Sequence, residues 1–210
     1  MSNVWVTSDW HLNHDREFVW KVRGFSNVLE MNEAIIKNHN SLVSPDDDVY
    51  VLGDLMLGDL EKGLECVRQM KGRLHLVRGN HDTDRRWEAY KSLPNVVEMS
   101  EGQFLKYKKY HFYLTHFPCE TGNLEKESLH QMTLSLYGHT HQKEDFFNDK
   151  FYMYHVGVDS HNCYPCLLDN IIPEMHRKIE ECKSFLDLDE RISEPAAAVK
   201  RDPPDGGFYG

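Results

Sequence analysis

Five short apolar segments of the chain each run directly into residues able to hold a metal ion: VWVTSDWH at 4–11, VYVLGD at 49–54, LHLVRGNHD at 74–82, HFYLTH at 111–116 and LSLYGHTH at 134–141. Runs of this length, rich in Val, Leu and Tyr and bounded by Gly or polar residues, read as buried strands. Asp9, His11, Asp54, Asn80, His116, His139 and His141 all fall where such a strand ends. Open α/β sheets place their ligands beyond the carboxyl ends of their strands.

The first half alternates strands with helices. A strand around Val4 and Val6 ends at Ser8-Asp9, and a helix is expected over 30–42, with Met31, Ile35 and Leu42 on one face. Pro45 stops it, because the residue before a proline avoids the helical region. A strand over 49–53 precedes a helix over 60–70, with Asp59 as N-cap and Gly72 as its stop, and a strand over 73–78 follows. A further helix starts near Arg85 and Arg86, which are expected to face solvent. The second half reads as strands over 103–107, 110–116, 133–138 and 151–158 joined by short polar turns. An amphipathic helix over 173–186 carries Met175, Ile179, Cys182 and Leu186 on one face and Pro173 in its first turn. An αβ half followed by a β-rich half implies two sheets packed face to face with helices outside.

The 210 residues suit one domain. Residues 1–194 are expected to form it, and 195–210, rich in Pro, Gly and Ala, to be a disordered tail. A net charge of -10 disfavours long nucleic acid as a partner. No apolar run spans a bilayer, and the N-terminus lacks a signal peptide, so the expected location is the cytoplasm. The five scattered cysteines are read as reduced thiols there, and Cys163-x-x-Cys166, with no second such pair, as two thiols near a turn and not a zinc site. Thirteen histidines alongside Asp and Asn are what metal chemistry needs.

Each motif alone is modest. Asp9 and His11 lie two apart, so on a strand both side chains would reach one ion. Gly53-Asp54 follows a buried strand, where Gly permits a sharp turn. In Arg78-Gly79-Asn80-His81-Asp82, a neutral Asn offers a carbonyl oxygen as ligand and His81 can turn to the substrate. Thr115-His116 ends a strand, and His139 and His141 in Gly138-His139-Thr140-His141 could serve different ions.

Taken in order, D-x-H, G-D, G-N-H-D, H and G-H-x-H resemble the calcineurin-like metallophosphoesterase superfamily over residues 9–141, with the detail closest to small prokaryotic or phage phosphoesterases. Val156-Gly157-Val158-Asp159-Ser160 is similar to a segment of those small members. The resemblance implies an α/β fold: a four-layer αββα sandwich of two mixed sheets with the metal site on loops at one edge. It implies one divalent ion on Asp9, His11, Asp54 and His141, a second on Asp54, Asn80, His116 and His139, and His81 as the catalytic acid. It further implies hydrolysis of a phosphodiester or phosphomonoester through a hydroxide bridging the ions. The His, Asp and Asn donor set suits Mn, Fe, Zn, Co or Ni better than an all-oxygen Mg cage. The chain departs from the protein-phosphatase branch: Leu55-Met56-Leu57-Gly58 stands where Asp-Arg-Gly would follow, which leaves open what orients His81, with Asp82 adjacent. Asn13 stands where many members have Gly, and Asn tolerates the left-handed turn.

The expected substrate is a small phosphoester, nucleotides first, with His14, Arg78 and His161 as candidate contacts. The alternatives are a nuclease acting on DNA or RNA and a non-catalytic scaffold of the same fold. His155 is read as a surface histidine, and His39, His75, His111, His130 and His176 as residues of solvated faces.

Overall fold

A computed structural model describes residues 2–124, 126 and 128–193; the tail expected at 195–210 lies outside them. The first half comprises β1 (Val4–Thr7), α1 (Glu17–Trp20), α2 (Val28–Leu42), β2 (Asp48–Leu52), α3 (Leu60–Arg68), β3 (Arg73–Val77), α4 (Asp84–Tyr90) and β4 (Val96–Ser100). The second comprises β5 (Gln103–Tyr107), β6 (Tyr110–Leu114), β7 (Thr133–Tyr137), β8 (Met153–His155), β9 (Cys166–Leu167) and α5 (Leu168–Ser193).

Two mixed sheets result. The first has the order β4-β3-β2-β1-β9, parallel except for β9, and the second the order β5-β6-β7-β8, in which only the β5–β6 hairpin is antiparallel. Period-two alternation gives the first sheet two apolar faces. Trp5, Val49, Val51, Leu74 and Leu76 pack with Met31, Ile35, Leu64, Val67 and Tyr90 of the helices α2, α3 and α4. Val6, Leu52 and Val77 face Phe112, Leu114, Leu134 and Leu136 of the second sheet, together with Ile171, Met175 and Ile179 of α5. Each such aliphatic side chain contributes about 1.5–3 kcal/mol through burial. Tyr110 and Tyr154 tie α5 to the second sheet, their hydroxyls 2.7 Å from His176 Nε2 and Glu174 Oε2. This is the αββα sandwich expected from the resemblance.

Local signals explain the boundaries. Asp59 caps α3 by accepting from Lys62 N at 3.0 Å. Asn27 caps α2 in the same way, accepting from Glu30 N at 3.0 Å, so that helix begins two residues before the expected start. The last helix begins at Leu168, which puts Pro173 inside it and not in its first turn. The strand expected over 151–158 shortens to Met153–His155, and beyond it Gly157 bridges to Ser8 and joins the two sheets at the end where β1 and β8 finish.

Two histidines expected at the surface are buried. His39 is 1% exposed, with Nε2 2.9 Å from Lys71 O and its ring edge-on to Trp10. His155 is fully buried, with Nδ1 2.8 Å from Ser160 Oγ. Cys163 and Cys166 belong to different core clusters, and all five cysteines are free thiols. Among the described residues no helix is long and apolar enough to cross a membrane.

Candidate metal centre

The parallel strands β1, β2 and β3 of the first sheet, and β6 and β7 of the second, end on the same side of the molecule. Their next residues carry the site. The D-x-H pair does not use strand pleating: Asp9 and His11 lie past β1 with φ of +58° and +49°. Asp54 (+57°), His139 (+69°) and His141 (+50°) are also left-handed, so five of the seven expected ligands occupy backbone that costs a non-glycine residue roughly 1 kcal/mol or more. Asn13, at +59°, makes the turn expected of it. Gly79 is required by close approach, since a Cβ there would overlap Asp54 Oδ1 and lie 2.5 Å from Asp54 N.

All seven residues converge. Asp54 is at the centre: its Oδ1 accepts from His81 N at 2.8 Å, which leaves Oδ2 3.5 Å from His11 Nε2 and 3.6 Å from His116 Nε2. On one side His11 Nε2 and His141 Nε2 are 3.2 Å apart and face Asp9 Oδ1 at 4.0 and 3.9 Å. On the other, Asn80 Oδ1 lies 2.8 Å from His116 Nε2 and 2.9 Å from His139 Nδ1. Ligand atoms of Asp9, His11 and His141, and likewise of Asp9, Asp54 and His116, lie within 4.8 Å of one another.

The donor chemistry fits divalent metal. Asp9 Oδ2 accepts from Ser8 Oγ at 2.6 Å and His139 N at 2.9 Å, but Asp9 Oδ1 is buried without a hydrogen-bond partner. A buried carboxylate oxygen left unpaired is costly unless a cation neutralises it. Burial pushes the Asp9 carboxyl up against the pull of His141 and His116. Burial, reinforced by Arg23, pushes His11 well below its ordinary value, and burial with His116 lowers His139, so both favour the neutral imidazole that binds metal. His116 donates Nδ1–H to Leu52 O at 2.8 Å, which turns Nε2 to the site.

Behind the ligands stands a second set of contacts that the sequence did not announce. His141 Nδ1 is 2.7 Å from Asp159 Oδ2, and Asp159 is held by Arg23 Nε and Nη2. Arg23 also donates to Trp10 O at 3.0 Å and Asp9 O at 2.8 Å. Burial opposes the Asp159 charge, yet His141 and Arg23 hold its carboxyl well below the ordinary range. Asp159 follows a strand-end V-G-V, the same pattern that marks the ligands; Arg23 has no local signal. Asp82 does not orient His81. It is buried and accepts from Asp54 N and Gly79 N at 2.8 Å and from Tyr90 Oη at 2.9 Å, clamping two ligand loops together.

The remaining candidates divide. His81 lies at the rim, with Nε2 4.0 Å from Asp54 Oδ2. His14 joins it, with Nδ1 3.3 Å from His11 Nδ1. Arg78 is turned away, donating to Asp82 O at 2.9 Å and Glu101 Oε1 at 3.3 Å, pairing with Asp84 and stacking over Trp87. His161 has Nε2 2.8 Å from His155 O and its ring stacked on Tyr154. In the folded chain the Arg78 guanidinium is paired with Asp84 and Glu101, and His161 Nε2 with His155 O.

Known proteins are similar to this chain. A family model of the calcineurin-like phosphoesterase superfamily domain matches residues 3–158. An uncharacterized protein of Methanocaldococcus jannaschii is 33% identical over 178 residues, covering 82% of this chain and 90% of its own. The gene 66 protein of a Mycobacterium phage is 29% identical over 212 residues, covering 86% of this chain and 99% of its own. In fold, a protein of unknown function from Aquifex aeolicus superposes with a TM-score of 0.64 at 22% identity, over 82% of this chain and 99% of that one. With the family match extending across every strand-end motif, the chain belongs to the calcineurin-like phosphoesterase superfamily of metal-dependent phosphoester hydrolases.

Proposed function

We propose that the protein hydrolyses small phosphoesters, with nucleotides and small phosphodiesters the first class, using two divalent ions. The observation that carries this reading is the placement of Asp54 Oδ2 between two imidazole sets, 3.5 Å from His11 Nε2 and 3.6 Å from His116 Nε2. One oxygen so placed can serve two ions. Asp9, His11 and His141 would hold the first with Asp54, and Asn80, His116 and His139 the second. When bound, the pair supplies a clamp for the phosphate oxygens and an acidified water as nucleophile.

The chain supplies the rest. Asp159 fixes the His141 ring and Leu52 O the His116 ring, so the ligands need little rearrangement. His81 Nε2 at the rim carries the proton for the departing oxygen. A net charge of -10 supports small substrates over long nucleic acid, and five free thiols support a cytosolic setting.

The test is a panel of Mn²⁺, Co²⁺, Ni²⁺, Zn²⁺ and Mg²⁺ against bis-p-nitrophenyl phosphate, p-nitrophenyl phosphate, cyclic nucleotides, nucleoside monophosphates and DNA. Metal-dependent turnover of the small esters is the expected result. Efficient cutting of DNA with poor turnover of every small ester would reverse the substrate assignment.

A further inference from the structure

Helix α1 buries none of its residues, yet it carries Phe18, which is 70% exposed, and is followed closely by Val22, which is 67% exposed. Large apolar groups on a four-residue helix contribute little to folding when they remain in water. Their position gives them another role. Phe18, Val19 and Val22 line a cleft of about 370 Å³ together with His14 and His81. His11 and His141 line it as well, so the cleft adjoins the candidate metal centre. The Phe18 ring stands edge-on to His14, with centroids 5.9 Å apart.

Two further features define what fits. His81 belongs to both regions: it lines the cleft and its Nε2 lies 4.0 Å from Asp54 Oδ2. The group placed to protonate a departing oxygen therefore stands between the metal centre and the apolar wall. Arg23 is the one Arg or Lys among the described residues lining the cleft, and Asp159, Trp10 O and Asp9 O already take up its guanidinium. A charged leaving group, such as a sugar phosphate, would find no unengaged guanidinium or ammonium there.

We propose that this cleft is the leaving-group subsite and that Phe18 and Val22 select phosphoesters whose leaving group carries a flat, uncharged ring, such as an aryl group or a nucleobase. The inference rests on the hydrolytic reading above, because it takes the phosphate to lie over Asp54. The volume falls at the lower end for small-molecule sites, which suits one ring system and not a polymer.

The experiment compares calorimetric binding of phenylphosphonate and methylphosphonate to the manganese-loaded full chain. Wild type is expected to bind the phenyl compound roughly tenfold more tightly, the scale of partly burying one ring. In the Phe18→Ala/Val22→Ser double variant, metal content by elemental analysis serves as the folding control and the ratio should fall to within about twofold. Phe18→Tyr, which keeps the ring, should retain the preference. Equal binding of both compounds by wild type, or a preference that survives the double variant, would overturn the subsite and leave the hydrolytic reading standing. If neither phosphonate binds, the subsite is overturned, while the hydrolytic reading is judged separately by turnover of the small esters.

Discussion

Arg23 grips both carboxylate oxygens of Asp159, Oδ1 at 3.0 Å from Nε and Oδ2 at 2.9 Å from Nη2, across 136 positions of sequence and with both side chains buried. Asp159 Oδ2 is also the partner of His141 Nδ1, so the pair sets the ring that faces Asp9. Removing one member leaves the other as an uncompensated buried charge. Arg23→Ala is expected to cost about 3–5 kcal/mol of stability, and Asp159→Asn to weaken metal binding by roughly 10–100-fold. Thermal unfolding and metal titration check the two effects; wild-type metal affinity in Asp159→Asn would show that His141 needs no such support.

Asp54 makes the sharper test of the metal centre. Asp54→Ala removes the oxygen that faces both His11 and His116 and the acceptor for His81 N. Bound metal should fall below one ion per chain, with hydrolysis lost. Elemental analysis giving two tightly held ions in an active variant would contradict the shared-ligand assignment.

His81 separates chemistry from binding. Its side chain is 44% exposed at the rim of the cleft, and among the described residues its ring nitrogens make no hydrogen bond to another residue. His81→Ala should keep its metal and lose about 10²–10⁴ in kcat with a poor leaving group, the usual scale for one acid–base group. The loss should shrink as the leaving group improves, because a good one departs without a proton. A uniform loss across leaving groups would assign His81 a role other than proton donor.

His39 gives a stability prediction independent of catalysis. Burial holds its imidazole down at about 4, against an ordinary value of 6.5. Between those values the unfolded chain takes up a proton there that the folded chain does not. Stability is therefore full above about 6.5 and falls as pH drops towards about 4, by on the order of 3 kcal/mol at most. His155, held at about 3 by burial, acts in the same direction. Denaturant unfolding of metal-free His39→Gln should show a shallower decline than wild type over that window. An unchanged slope would mean that His39 titrates normally in the folded protein.

The sequence alone determined which candidate ligands stand at the ends of which strands, and the sheet framework around them. Asp9, Asp54, Asn80, His116 and His139 each follow a short apolar strand, and that succession is local, written in consecutive residues. The helix caps Asp59 and Asn27 are local in the same sense. Tertiary structure decided what local pattern cannot encode. Left-handed backbone at Asp9 and His11, not strand pleating, aims the D-x-H pair, and the turn is fixed by contacts with Gly53 O and Asp54 O at 3.0 Å. Asp82, adjacent to His81, turns inward because the amides of Asp54 and Gly79 need an acceptor. Arg78 pairs with Glu101 and Asp84, and His161 Nε2 with His155 O, partners that only the folded chain brings near. The pairing of Arg23 with Asp159 depends on which loops the two packed sheets bring together. Strand order and sheet packing set that geometry, so it exists only once the chain has folded.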